Sequence, residues 1–163
     1  MELREIVHEL ISISIIHRYH ITKSALSVGL YFGQPNMLEY IMEHEACSQK
    51  ELAAAMHITP ASAAVSLKRM EKAELIIRTP DEKDIRKNHI RVTEKGEKAL
   101  QEFRRICKRT DENMFKDFSE EERNTLHRLL LRLHKNLDSQ SLSKEEICEM
   151  LTKATPKGED END

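Results

Sequence analysis

Ala61, Ser62, Val65, Lys68, Arg69 and Lys72 fall on one side of a helix turned at about 100° per residue. The set contains no nucleophile with a base and no metal-ligand spacing, so the chemistry it offers is recognition. Ser62 can hydrogen-bond, Val65 can touch a thymine methyl, and Lys68 and Arg69 can reach guanine or phosphate. Lys72, at the far end, suits a phosphate. The face is small near its start and cationic toward its end, which lets a helix come close to base edges. Alone, such a face is equally well a solvated charge run. Its meaning rests on the elements around it.

Those elements are legible. In SQKELAAAMHI, Ser48 can accept from the amide three residues on while Glu51 reaches back, a capping box that opens a helix carrying Leu52, Ala53 and Met56 on one side. His57-Ile58-Thr59-Pro60 forms the turn, with Thr59 as N-cap and Pro60 at the first helical position. The second helix, about Pro60 to Ala73, turns Ala63, Leu67 and Met70 toward the first, while Ser66 lies between its two faces. Ser48, at a helix N-terminus beside this unit, joins the candidate contacts to a phosphate backbone.

A hairpin follows. Ile76-Ile77-Arg78 and His89-Ile90-Arg91-Val92 are short β-branched runs, joined by a mixed-charge loop from Thr79 to Asn88. Such a loop is long for a simple hairpin and suits a wing. Arg86 and Lys87 near its tip can enter a minor groove, whose negative potential attracts Arg. Asp84 is expected to brace the loop on a nearby Arg, with Arg78 the candidate, because a carboxylate facing phosphates is repelled. Two helices, a tight turn and a basic hairpin make a winged helix-turn-helix, which sets one helix in the major groove.

The run ELAAAMHITPASAAVSLKRMEKAELIIRTPDEKDIRKNHIRVTEKG resembles the multiple-antibiotic-resistance regulator (MarR) family of bacterial transcription factors. Its most specific part is RTPDEKDIRKNHIRVTEKG, similar to the family's wing signature, with Asp84-x-Arg86 ahead of a strand ending in Thr93-x-x-Gly96. Upstream, GLYFGQPNML resembles the segment leading into the family's second helix, and the likeness runs from about Leu26 to Leu137. One position departs from the pattern: where the family usually has Gly after the recognition helix, this chain has Glu74. Either Glu74 takes the left-handed conformation at a cost of roughly 1 kcal/mol, or the turn is built differently.

The flanks carry more apolar surface than one small winged domain can cover. Leu3, Ile6, Val7, Leu10, Ile13 and Ile16 make a helical stripe, with Ile11 and Ile15 beside it. Thr93 opens a helix with Leu100, Phe103, Ile106 and Cys107. Ser119 and Glu122 form a second capping box ahead of Leu126, Leu129, Leu130, Leu133 and Leu137. The alternative to a dimer interface is a monomer core with a capping helix. The resemblance implies dimers formed by the N- and C-terminal helices, each subunit presenting one recognition helix to half of a pseudo-palindromic operator. It also implies a small-molecule effector site between those helices and the winged domain, with Tyr19, His20, Phe32, Met37, Tyr40 and Phe103 as candidate lining. Each of these is equally readable as core.

The expected architecture is mainly α with one small β-hairpin: a winged helix-turn-helix core over 34–96, flanked by dimerisation helices at 1–32 and 97–140. A short helix over 141–152 and an acidic tail over 153–163 complete the chain. The net charge of −3 does not argue against a DNA partner. Eight Lys/Arg face five Asp/Glu between Thr59 and Arg91, whereas the stretch from Ser141 onward has three against seven. Local potential governs association with nucleic acid.

The three cysteines, Cys47, Cys107 and Cys148, are widely spaced without metal-ligand pattern and fit a reduced cytoplasm. No apolar run reaches the roughly 18 residues of a membrane span, and the N-terminal sequence is unlike a secretion signal. A cytoplasmic protein is expected. With four scattered glycines there is no phosphate-cradling loop, and no enzyme, metal or cofactor is expected. His17 with His20 and His127 with His134 share helix faces, but neither pair has a carboxylate or Cys to complete a ligand set. The expected function is a homodimeric DNA-binding repressor released by an effector. The competing class is a winged helix used as a protein-interaction module, as an antirepressor would be.

Overall fold

The computed structural model describes residues 2–44, 47–80 and 88–138. Six helices and one hairpin follow in order: α1 (Leu3–Ser27), α2 (Gln34–Glu43), α3 (Gln49–Ala55), α4 (Pro60–Lys72), β1 (Ile76–Pro80), β2 (Asn88–Val92), α5 (Glu94–Met114) and α6 (Glu120–Asp138). The mainly α architecture with one small hairpin is as expected from sequence.

Local chemistry sets most of these boundaries. The Ser48 hydroxyl accepts from the Glu51 amide at 3.3 Å while the Ser48 amide donates to the Glu51 carboxylate at 2.7 Å, closing the box that starts α3. Thr59 caps α4 by accepting from the Ser62 amide at 3.1 Å, with Pro60 in the first turn. Ser119 and Glu122 repeat the reciprocal pattern at α6, at 2.8 and 3.2 Å. The Ser119 groups that bond the Glu122 carboxyl lower its pKa. Past the end of helix α1 at Ser27, Gly29 turns the chain with a left-handed φ of 76°. The Leu30 amide then returns to the Ala25 carbonyl at 2.9 Å, the closing bond of a Schellman turn.

The strands pair antiparallel, Ile76 opposite Val92, Ile77 opposite Arg91 and Arg78 opposite Ile90. Two more pairs, Thr79 with His89 and Pro80 with Asn88, extend the ladder. The connecting loop is therefore shorter than the Thr79–Asn88 span read from sequence. Proline is tolerated because it ends the strand, where no further ladder bond is needed.

The core lies beneath the helix-turn-helix. Leu30, Leu38, Leu52, Leu67, Met70, Ile76, Ile90 and Leu100 are each less than 2% exposed, drawn from the α1–α2 turn, α2, α3, α4, both strands and α5. Each such side chain contributes about 1.5–3 kcal/mol by leaving water. Helix α4 thus stands on a rigid base. Helix α6 is exposed along nearly its whole described length.

Residues 139–163, with the short helix and acidic tail expected there, lie outside the described residues. So do Asp84, Arg86 and Lys87, the bracing and contacting residues expected in the wing.

Candidate nucleic-acid interface

Helix α4 buries one face and exposes the other. Ala63, Leu67 and Met70 are wholly inaccessible, packed toward α3 and the core. Ala61, Ser62, Val65, Lys68, Arg69 and Lys72 are all exposed, forming one continuous outer face. Ser66 is half-buried between the two. The lysines and Arg69 stand near the C-terminal end, where the helix dipole favours positive charge.

The turn into α4 is tightly specified. His57 adopts a left-handed φ of 51° just past α3. Its amide donates to the Ala54 carbonyl at 3.1 Å, and the Ile58 amide donates to the Ala53 carbonyl at 3.0 Å. Gln49 Nε2 reaches the Pro60 carbonyl at 3.5 Å, linking the starts of the two helices. The Ser62 hydroxyl accepts from the Thr59 hydroxyl at 2.9 Å, which leaves its own hydrogen to donate outward. The Ser48 hydroxyl oxygen is engaged in the α3 cap; its place in the structure is that of a capping residue beside the interface.

The exit from α4 answers the question raised by Glu74. Its φ is 60°, so it takes the left-handed position that glycine usually fills. The Glu74 amide donates to Glu71 and the Leu75 amide to Met70, both at 2.9 Å, completing a Schellman turn. Three further contacts hold the turn in place. Thr93 Oγ1 donates to the Glu74 carbonyl at 2.6 Å, the Thr93 amide donates to Leu75 at 3.0 Å, and Lys95 Nζ meets the Glu74 carboxylate at 3.0 Å. Arg78 Nε of β1 lies 3.4 Å from Glu71 Oε2 of α4, an ion pair that lacks hydrogen-bond geometry. Arg78 thus has a partner on the recognition helix that sequence reasoning did not assign.

Tyr31 was also missed. The Arg69 guanidinium lies over its ring, 5.8 Å from the centroid. The sequence signal was slight: an aromatic between two glycines, 38 positions before its partner.

The six residues expected to line an effector site divide into two sets. Met37 is 3% exposed and belongs to the core, and Tyr40 and Phe103 pack against that core half-buried. Tyr19, His20 and Phe32 are exposed. His17, which shares a face with His20, meets Asp111 of α5 at 3.0 Å. Among the described residues no group of three or more His, Cys, Asp or Glu is placed to hold a metal ion. Burial raises the pKa of the Cys47 thiol, with the nearby Glu51 carboxylate adding to the effect. Cys107 is shifted the same way by burial and by Asp111 and Glu39. Neither environment activates a thiolate.

Comparison with known proteins agrees with this geometry. Residues 33–87 match the MarR family model. The HTH-type transcriptional regulator BilQ of Clostridium symbiosum is 32% identical over 117 residues, covering 72% of this chain and 78% of that protein. The HTH-type transcriptional regulator YybA of Bacillus subtilis is 31% identical over 106 residues, 65% of this chain and 71% of the relative. Among solved structures, YusO of Bacillus subtilis superposes with a TM-score of 0.74 at 21% identity, covering 82% of this chain and 94% of its own. A mutant of MepR from S. aureus, bound to an oligodeoxyribonucleotide, superposes with a TM-score of 0.65 at 22% identity, covering 84% and 99%.

Proposed function

Because the chain belongs to the MarR family of non-enzymatic, DNA-binding transcription regulators, we propose that it is a homodimeric repressor of operator DNA, released by a small-molecule effector. The observation that carries this reading is the exposed face of α4. Small residues at Ala61, Ser62 and Val65 leave room for close approach, and Lys68, Arg69 and Lys72 supply charge where the helix would meet the duplex. Arg69 and Lys68 read base edges with Ser62 and Val65, Lys72 takes a phosphate, and Arg86, with Lys87 beside it, enters the minor groove. Ser48 contributes from the start of α3.

Pairing is supported by apolar surface that a single chain leaves in water. Leu3 is 82% exposed on α1 and Leu137 is 74% exposed on α6. Between those ends Val7, Ile13, Ile16, Leu129, Leu130 and Leu133 are exposed too. Burying such surface contributes about 25 cal/mol per Å², which works against the entropy cost of association. A dimer would place two copies of α4 about one DNA turn apart, roughly 34–36 Å.

The effector would enter between the dimer helices and the winged domain. Tyr19, His20 and Phe32 are the exposed candidates to meet it, with the half-buried Tyr40 and Phe103 as further lining, while Met37 fills the core. A ligand that prefers one packing of these helices would change the separation of the two recognition helices and so release the operator. No described helix is long and apolar enough to cross a membrane. Action in the cytoplasm follows from the proposed partner, since that is where a bacterial operator is met.

Footprinting across the DNA upstream of the protein's own gene tests the proposal. Two protected half-sites with centres about one turn apart are expected. A single short footprint, or protection independent of sequence, would contradict it.

A further inference from the structure

We infer that Tyr31 is a positioning residue for DNA readout, its ring holding the Arg69 guanidinium so that the in-plane N–H groups reach the duplex already oriented. The inference rests on the DNA-reading role proposed for α4 and adds a residue that lies outside the helix-turn-helix. Tyr31 stands in the turn between α1 and α2, a segment built to hold one shape. Gly29 and Gly33 bracket it with left-handed φ values of 76° and 82°, and Leu30 between them is wholly buried. The Tyr31 amide donates to Gln34 Oε1 at 2.9 Å, and the Gln34 amide donates to the Tyr31 carbonyl at 3.0 Å. Gln34 itself is only 2% exposed, so the clamp is anchored in the core.

A backbone fixed this firmly carries a side chain that the core does not take: Tyr31 is 55% exposed. Its ring meets Arg69 at 5.8 Å, within the range of a cation–π contact. The chemistry suits a reader of guanine. Elsewhere the chain pairs arginines with carboxylates, Arg104 with Glu39 and Arg105 with Glu102, which occupies their donors and offsets their charge. An aromatic face does neither. A guanidinium laid flat on such a face keeps its fork of N–H donors free at the rim, the edge used in bidentate contacts. Holding a long side chain in advance also removes part of the ordering cost of binding.

The test uses full-length protein and a duplex that the wild type selects from a randomised pool, with its set of single-base-pair variants. Tyr31→Leu is expected to weaken binding to the selected duplex about two- to fivefold, the scale of an exposed cation–π contact. Its loss should fall at the base pair where Arg69→Ala relaxes preference, and Tyr31→Leu should add nothing in the Arg69→Ala background. Tyr31→Phe, which keeps the ring, should restore wild-type binding and preference. Additive effects of the two substitutions, an equal loss on every duplex, or tighter binding by Tyr31→Leu would each overturn the inference. If the wild type selects no duplex at low salt, the reading of α4 as a DNA element falls first, a result distinct from failure at Tyr31 alone.

Discussion

Thr93 Oγ1 donates to the carbonyl of Glu74 at 2.6 Å, joining the start of α5 to the residue that ends the recognition helix. The same hydroxyl accepts from the Gly96 amide at 3.1 Å and so caps α5. Gly96 lies against the Leu75 carbonyl and Val92, so closely that a Cβ there would overlap the carbonyl oxygen. The Thr-x-x-Gly spacing therefore serves to lock the exit of α4 onto the first turn of α5. Under the proposed function, this joint is where a shift in the long flanking helices would reach the exposed face of α4.

Thr93→Ala should cost about 1–2 kcal/mol, the loss of a helix cap, and Thr93→Ser should recover most of it. Gly96→Ala should cost about 1–3 kcal/mol through overpacking. Chemical denaturation of the three variants checks both values. A Gly96→Ala protein as stable as wild type would mean that α5 does not sit on Leu75.

Glu74→Gly should stabilise the protein by about 0.5–1 kcal/mol, because glycine occupies the left-handed region without the Cβ penalty. The lost pair with Lys95 subtracts little, since both side chains are more than half exposed. The denaturation midpoint should rise at an unchanged slope. A fall would show that Glu74 is held by more than its backbone.

Cys47 should react slowly with an alkylating reagent in the folded protein at neutral pH. Burial and Glu51 raise its pKa, so the thiolate fraction stays below that of a free thiol until the pH passes the ordinary thiol range. The linkage has a definite sign. The raised folded pKa contributes stability that is present below the unfolded thiol's pKa and lost as pH rises through the folded one. Mass-resolved alkylation from about pH 7 to 10 measures it, and rapid labelling at neutral pH would contradict the assignment.

Arg69→Ala should lower operator affinity by about 1–3 kcal/mol and relax preference at one base pair, as loss of a bidentate guanine contact does. Binding to a panel of single-base-pair operator variants would show it. A loss equal on all sequences would make Arg69 a phosphate contact instead.

The helix-turn-helix was readable because its signals are local. Ser48 with Glu51 and Thr59 with Pro60 each fix a boundary within three residues, and the two faces of α4 follow from one turn angle. What stayed open depends on partners far along the chain. Glutamate has no preference for φ of 60°, and the contacts that hold Glu74 there come from Thr93 and Lys95, about twenty positions on. Tyr31 and Arg69 meet across a gap about twice as wide. Met37 shows the limit of periodicity in another way. An apolar residue at helical spacing reads the same whether it fills a core or lines a pocket, and only its 3% exposure separates the two.

The most direct test of the account is equilibrium binding of purified protein to its upstream duplex across a range of salt, with the mass of the complex measured in parallel. Two chains per duplex are expected, with log affinity falling linearly against log salt at a slope of about −0.9 for each phosphate neutralised. A stable monomer, or affinity indifferent to salt and sequence, would contradict the account and favour a protein-binding role for the winged helix.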